Sequence, residues 1–267
     1  MKKRDYILLR LIEEYIKHPE PVSSKRLQAL LDFDISSATI RYYFKQLTEV
    51  GSLKKSHVSS GRIPTTQALS SFWRTRLKND LAIDLAKEMS IEELASKKKI
   101  FCEYYTMKEK RLNSVERYKD YLIIKLEDEE LLIRYNKNLE RFLQNQIGRD
   151  SFELARICQE IGLVSFSNTL KRFLQKEFKI CAIEEIVDIA KEDTEWAKHN
   201  LQDLLNGSKL YERSRGVTFE DRLLSYKFKI AKSKDKGEML LLGKVHRDFG
   251  GFINTLKGAD HGEETRA

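Results

Sequence analysis

The chain has 267 residues, 41% of them hydrophobic, and it carries a formal net charge of +8. This length and hydrophobic content are enough for one large domain or two smaller ones, each with a buried core. No apolar run approaches the roughly 18 residues that suggest a membrane span, and no signal peptide is apparent. We therefore expect a cytoplasmic protein that does not span a membrane.

The excess positive charge lies in the first part of the chain. Residues 1–80 contain 15 Lys and Arg against 8 Asp and Glu, whereas residues 81–267 contain 34 against 33. Many soluble domains are mildly basic, but that background would not concentrate the charge in one segment. The distribution predicts a phosphate-binding surface within the first 80 residues.

Two helices are predicted at the start of the chain. Apolar residues recur on one face of segment 6–17, and Pro19 and Pro21 prevent that helix from continuing. Ser23 or Ser24 can cap a short second helix, because a serine hydroxyl accepts a hydrogen bond from a free backbone N–H. A short turn is predicted to follow.

Segment 36–65 is the most informative part of the sequence. A serine can cap a third helix, in which Ile40, Phe44 and Leu47 form one apolar face at helical spacing. A glycine ends this helix, and a basic strand, a turn of small residues and a second short strand follow. Helix, short helix, turn, helix and β-hairpin together predict a winged helix-turn-helix, whose last helix enters the major groove of DNA.

Nine residues of this segment are candidates for contact with DNA. Arg41 can donate two hydrogen bonds to guanine O6 and N7, although a phosphate contact is an equal alternative. Arg62, on the second strand, could enter a narrow minor groove. Adjacent lysines alternate in direction along a strand, so one of Lys54 and Lys55 is expected to face DNA. The full set is Ser37, Thr39, Arg41, Tyr42, Lys45, Lys54, Lys55, His57 and Arg62.

The rest of the chain mixes strand and helix patterns. Residues 81–117 are highly charged and are predicted to be helical, and 121–136 are predicted to form two short strands. Helical spacing returns over 139–177. The last predicted elements are a strand at 178–186, a helix at 196–205, a hairpin of 222–231 with 238–245, and a helix at 249–256.

Three motifs carry a resemblance to a known family. PVSSKRL at 21–27, SSATIR at 36–41 and SSGRIPT at 59–65 resemble the heat-inducible repressors of the HrcA type. The resemblance implies a bacterial repressor that binds an inverted-repeat DNA operator, the CIRCE element, upstream of chaperone genes. It also implies a homodimer, a GAF-like C-terminal core and activity assisted by the GroE chaperonin.

The predicted fold class is therefore α+β, with a winged helix-turn-helix followed by a mixed α/β GAF-like domain. We place the winged helix at 1–78 and a helical connector, a candidate dimerisation element, at 79–118. The GAF-like domain is placed at 119–260, with a helical insertion at about 139–210, and a tail at 261–267.

The sequence offers no pattern typical of catalysis or metal binding. Cys102, Cys158 and Cys181 lie far apart, so no zinc site is expected. The chain has no P-loop and no GxGxxG motif, so no cofactor is expected either. An enzyme with a regulatory winged helix, such as a biotin protein ligase, would need a Gly/Arg-rich adenylate loop that the chain lacks. The main alternative is a regulator whose C-terminal domain senses a small-molecule ligand.

Overall fold

The structure, a computed structural model, is described for residues 2–56, 61–85 and 90–258. Its first part contains helices and one short β-hairpin. Its elements are α1 (Lys3–Lys17), α2 (Ser24–Ala29), α3 (Ser37–Glu49), β1 (Leu53–Lys55), β2 (Arg62–Pro64) and α4 (Thr66–Arg76). Three helices begin at capped positions: the hydroxyls of Ser23, Ser36 and Thr65 accept from the N–H groups three residues later. These helices and strands agree with the sequence prediction.

A small apolar core joins the first three helices to the hairpin. Each of its large side chains contributes roughly 1.5–3 kcal/mol by leaving water. Its buried members are Ile7, Leu11, Val22, Leu27, Ile40, Phe44, Leu47 and Leu53.

Polar contacts fix α2 and the following turn against α1. Arg26 pairs with Glu14 at 2.5 Å. Arg10 donates to the Leu30 carbonyl at 3.0 Å. The start of α3 is thereby held at a defined position relative to α1.

The second part of the chain alternates strands and helices. The first group is β3 (Ala82–Asp84), α5 (Ile91–Lys98), β4 (Phe101–Met107), β5 (Leu112–Tyr118), β6 (Tyr121–Leu126) and β7 (Glu129–Arg134). The second is α6 (Lys137–Gln144), α7 (Ser151–Glu160), α8 (Val164–Phe173), β8 (Gln175–Cys181), α9 (Ile183–Glu192), α10 (Thr194–Leu205) and α11 (Ser208–Glu212). The last is β9 (Gly216–Glu220), β10 (Leu223–Lys232), β11 (Asp235–Lys244) and α12 (Phe249–Leu256).

A central sheet organises this part of the molecule. Its strand order is β3-β10-β11-β4-β8, with β9 also paired to β10, while β5, β6 and β7 form a separate three-stranded sheet. The hairpin of β10 and β11 is paired from Leu223–Lys244 to Lys232–Asp235. A mixed α and β structure is therefore confirmed.

Both faces of the central sheet are covered. Cys102 and Tyr104 of β4 belong to one buried cluster with α4, α5 and α12. Phe101 and Tyr105 belong to the other, with α6 to α11 and the three-stranded sheet. Successive side chains of a strand point to opposite faces, so every residue of β4 is buried.

The prediction that residues 79–118 form a helical connector was wrong. Within the described residues of this range, only Ile91–Lys98 is α-helical, and β3, β4 and β5 supply the other regular structure. Because β4 is buried on both faces, it lacks the apolar–polar alternation that marks a half-buried strand. This range therefore contributes strands to the central sheet.

The later predictions were mostly confirmed at the level of elements. The hairpins at 121–136 and 222–245, the helices within 139–177 and at 196–205, and the last helix all occur. The insertion predicted at about 139–210 is divided, because β8 at 175–181 joins the central sheet between two groups of helices. The predicted strand at 178–186 therefore corresponds to a strand at 175–181. The predicted tail at 261–267 lies outside the described residues.

A continuous apolar core joins the two parts of the chain. Ile12 of α1 and Trp73 of α4 belong to the same buried cluster as Phe249 of α12. Trp73 Nε1 donates to the carbonyl of Val245 at 2.7 Å, and its ring lies 5.8 Å from that of Phe249. The boundary predicted at residue 78 follows directly after α4, which is part of this shared core.

One buried carboxyl group opposes the stability of the fold. Glu103 of β4 is 0% exposed, and neither of its carboxyl oxygens has a hydrogen-bond partner among the described residues. Burial raises the pKa of Glu103 to about 8, although Lys227 and Arg213 act in the opposite direction. The group is therefore mainly protonated at neutral pH, and its burial remains uncompensated.

We predict that Glu103→Met stabilises the protein, because the apolar side chain fills a similar volume without an unsatisfied polar group. The midpoint of thermal unfolding should rise by several degrees. The gain in midpoint temperature should be smallest below pH 4.5, where the Glu103 carboxyl is protonated in both the folded and the unfolded state. It should grow as the pH rises to about 8. Glu195→Met at an exposed position is the control, and an unchanged or lower midpoint for Glu103→Met at pH 8 would contradict the prediction.

Candidate nucleic-acid interface

The orientation of α3 is set by its buried face. Ile40, Phe44 and Leu47 are 0%, 2% and 2% exposed and pack into the N-terminal core. Tyr43 is half-buried beside the same core, as expected for a packing residue. Because helical neighbours three and four apart share a face, the opposite side of α3 must point to solvent.

Three predicted contact residues lie on that exposed side. Arg41, Tyr42 and Lys45 are all exposed, and Tyr42 is 58% exposed. Gln46 Nε2 donates to the Tyr42 hydroxyl at 2.9 Å, which holds the ring along the helix. Lys45 lies 4.0 Å from Glu49, a weak surface pair.

Arg41 is the exposed cation nearest to the start of α3. Its guanidinium makes no ion pair or hydrogen bond with another residue in the described part of the chain. The group can therefore meet an acceptor on DNA without first breaking an internal contact. Its place in the first turns of the helix fits the geometry in which N-terminal residues reach base edges.

Ser37 and Thr39 lie in the first turn of α3, beside the cap. Ser37 is half-buried, whereas Thr39 is exposed. The Thr39 hydroxyl is 2.9 Å from that of Ser36, which also accepts from the Thr39 N–H at 3.1 Å. The Thr39 hydroxyl is thus already within hydrogen-bond distance of the Ser36 hydroxyl. If it also contacted a phosphate, it would have to interact with both partners.

The hairpin places two cations side by side. Lys55 of β1 is directly opposite Arg62 of β2, and Lys54 is opposite Ile63. Side chains directly opposite each other in an antiparallel pair share a face, so Lys55 lies with Arg62 and Lys54 points to the other side. His57 lies outside the described residues.

The hairpin is anchored by a close backbone contact. The backbones of Val22 and Arg62 exchange two hydrogen bonds, each 2.9 Å long. A Cβ on Gly61 would lie only 2.8 Å from Pro21 Cβ and 3.0 Å from its carbonyl carbon. Glycine at this position therefore allows the hairpin to rest against the segment between α1 and α2.

One exposed cation of α2 was not among the predicted contact residues. Lys25, in the first turn of α2, is exposed and has no ion pair among the residues that the structure describes. The motif at 21–27 contains it, but the predicted contact residues were limited to the third helix and the hairpin. Lys25 precedes the buried Leu27 by two positions, which lie on opposite sides of a helix, so this spacing indicates that the Lys25 side chain points to solvent.

The described ranges show no metal site and no membrane-spanning helix. No group of His, Cys, Asp and Glu in those ranges could hold a metal ion. Their helices include none that is long and apolar enough to span a membrane. All three cysteines are buried and free.

We predict that Gly61→Ala displaces the hairpin, because the new methyl group would overlap the backbone of Pro21. Stability should fall by about 1–3 kcal/mol, and DNA affinity should fall for all sequences alike. Gly250→Ala is a matched control, since its Cβ would lie at an ordinary 3.5 Å from Trp73. Thermal unfolding and gel shifts test both variants, and wild-type behaviour of Gly61→Ala would refute the packing argument.

Comparison with known proteins places the chain's sequence in a family. The HrcA C-terminal domain family model matches residues 73–260. The heat-inducible transcription repressor HrcA of Helicobacter pylori is 27% identical over 270 residues, which cover 96% of this chain and 95% of the relative. HrcA of Mycoplasma mobile is 48% identical over 71 residues, covering 27% of this chain and 21% of the relative.

Proposed function

Since the chain belongs to the HrcA family of heat-inducible transcription repressors, we propose that it binds an inverted-repeat operator of the CIRCE type as a homodimer. On this proposal α1 to α4 and the β1–β2 hairpin form a winged helix-turn-helix. The helix α3 enters the major groove, and the hairpin lies along the backbone or in the minor groove. The protein then acts as a DNA-binding regulator of chaperone genes and not as an enzyme.

The observation that carries this proposal is the exposed side of α3. Its opposite side is buried, its N-terminus is capped, and Arg41 projects from its first turns without an internal partner among the described residues. The adjacent hairpin adds Lys55 beside Arg62. We assign Arg41 to base reading and the hairpin cations to phosphate or minor-groove contact.

The C-terminal part is proposed to be a GAF-like core that holds two DNA-binding modules together. Residues 81–267 are nearly neutral, with 34 cations against 33 carboxylates, which favours a role other than binding the DNA backbone. The shared core around Trp73 fixes α4 to this part. Two chains joined through it would therefore present two α3 helices at a defined distance.

The family resemblance further implies assistance by the GroE chaperonin. We propose that the chaperonin raises the fraction of chains competent to bind DNA. Gel shifts of the same preparation with and without GroE measure that fraction directly. No change in active fraction would remove the chaperonin from the proposal.

We predict that Arg41→Ala reduces discrimination between operator and scrambled DNA by roughly 1–3 kcal/mol, since a bidentate contact to guanine is lost. The fold should be retained, because the side chain is exposed. Lys55→Ala is the matched comparison: it should weaken binding to both DNAs alike and lower the salt dependence by about one charge. Unchanged discrimination in Arg41→Ala, measured by competition gel shift, would refute the base-reading assignment.

We also predict that operator affinity depends on the spacing of the half-sites. Inserting about 5 bp turns one half-site to the other side of the duplex, where a rigid dimer cannot reach it. Apparent affinity should fall by about 10²–10⁴, to that of DNA with a single half-site. Retained affinity on the altered operator, with sedimentation of the full chain as a monomer, would contradict the dimer.

A further inference from the structure

A small charged cavity lies on the side of the central sheet away from α12. Its volume is about 260 Å³. It is bounded by α7, by the segment between α11 and β9, and by the β10–β11 hairpin. The charged residues that line it are Arg156, Glu160, Arg213, Arg215, Lys227 and Glu238.

Glu238 is the centre of this group. It is 1% exposed and accepts hydrogen bonds from the Tyr105 hydroxyl at 2.9 Å and from Arg215 Nε at 2.8 Å. Lys227 Nζ lies 3.1 Å away and Lys171 Nζ 3.6 Å away. One buried carboxylate is therefore surrounded by three cationic side chains.

Neighbouring carboxyl groups do not balance these cations. Glu160 and Glu153 are both committed to Arg156, at 2.6 Å and 2.5 Å. Glu220 lies 3.8 Å from Arg213. Glu103, whose pKa burial raises to about 8, is mainly protonated at neutral pH.

The excess of positive charge is reflected in the titration of the cluster. Burial alone would raise the pKa of Glu238, but the surrounding cations lower it to about 2. Burial lowers the pKa of Lys171 to about 8, and Lys227 and Arg215 act in the same direction. Burial also lowers the pKa of Lys227. Buried charges are stable when paired, and around Glu238 three cationic side chains share one carboxylate.

Donors in the cavity remain uncommitted. Within the described residues, Arg215 donates a hydrogen bond through Nε, and its two terminal amino groups make none. Lys227 is 1% exposed and donates to the Arg213 carbonyl at 2.8 Å and to Glu238, which leaves a third N–H. A guanidinium fork beside an ammonium group is the donor set that binds oxyanions.

We propose that this cavity binds a compact oxyanion, such as inorganic phosphate or a small dicarboxylate. The anion would supply the missing negative charge between Arg215 and Lys227. A cavity of about 260 Å³ is large enough for such an ion, because one water occupies about 30 Å³ of liquid. This site is separate from the DNA-contacting residues and does not depend on the proposed operator.

Thermal unfolding of the full chain tests the site. The midpoint is measured in chloride, phosphate and malonate buffers of equal ionic strength and pH. We expect phosphate, malonate or both to raise the midpoint by several degrees over chloride, because binding stabilises the folded state. Response to one anion identifies its class, and response to both indicates a general oxyanion site.

Variants separate this cavity from other cation-rich surfaces. Arg215→Met should abolish the rise in unfolding midpoint that the anion causes. Arg215→Lys, which retains the charge beside Glu238, should reduce that rise. Lys198→Met at an exposed position should leave it unchanged. The double variant Arg41→Ala with Lys55→Ala should also retain it, since its changes lie on the DNA-contacting side.

Three results would overturn the proposal. The first is an equal midpoint in all three buffers. The second is a full rise in both Arg215 variants, which would place the anion elsewhere. The third is loss of the rise in the Arg41 and Lys55 double variant, which would assign the anion to the DNA-contacting surface. If Arg215→Met does not fold, calorimetric titration of Arg215→Lys with phosphate decides the second case.

Discussion

Trp73 joins the N-terminal helices to the central sheet, and the position of the candidate DNA-contacting surface depends on this contact. Its indole ring packs edge-on against Phe249, while its N–H is satisfied by the Val245 carbonyl. A buried tryptophan requires such a hydrogen-bond partner, so its packing and its polar contact favour the same orientation. Ile12 and Leu69 extend the apolar contact on both sides.

This arrangement links the position of α3 to the fold of the C-terminal part. The helix α3 packs on α1, and α1 contributes Ile12 to the core that contains α12. A loss of packing around α12 would therefore release α1 and change the position of α3.

The two faces of the central sheet differ in their chemistry. The face toward α4 and α12 is apolar and aromatic, which suits a rigid attachment. The opposite face carries Glu103, Lys227 and Glu238 among apolar side chains. Buried ionic groups cost several kcal/mol in desolvation unless they are well paired, so this face is where the fold can be made more stable. An anion in the cavity would stabilise this face by supplying negative charge. An apolar residue at position 103 would stabilise it by removing an unsatisfied polar group.

Local sequence determined the N-terminal elements. The caps at Ser23, Ser36 and Thr65 and the apolar spacing of Ile40 and Phe44 act over a few residues, so a pattern of neighbours is enough to predict them. The same applies to the hairpin at 222–245 and the last helix. The outward direction of Arg41 followed from these local patterns, whereas its contact with DNA remains a prediction.

Tertiary structure decided the features that depend on distant residues. The strand β4 is buried on both faces, so its sequence carries no alternation and was assigned to a helix. The face shared by Lys55 and Arg62 required the register of the hairpin. The charged cluster around Glu238 joins side chains from positions 171, 215, 227 and 238, which meet only where α8 lies beside the β10–β11 hairpin. Long-range pairing and burial create these features, and no local pattern of residues encodes them.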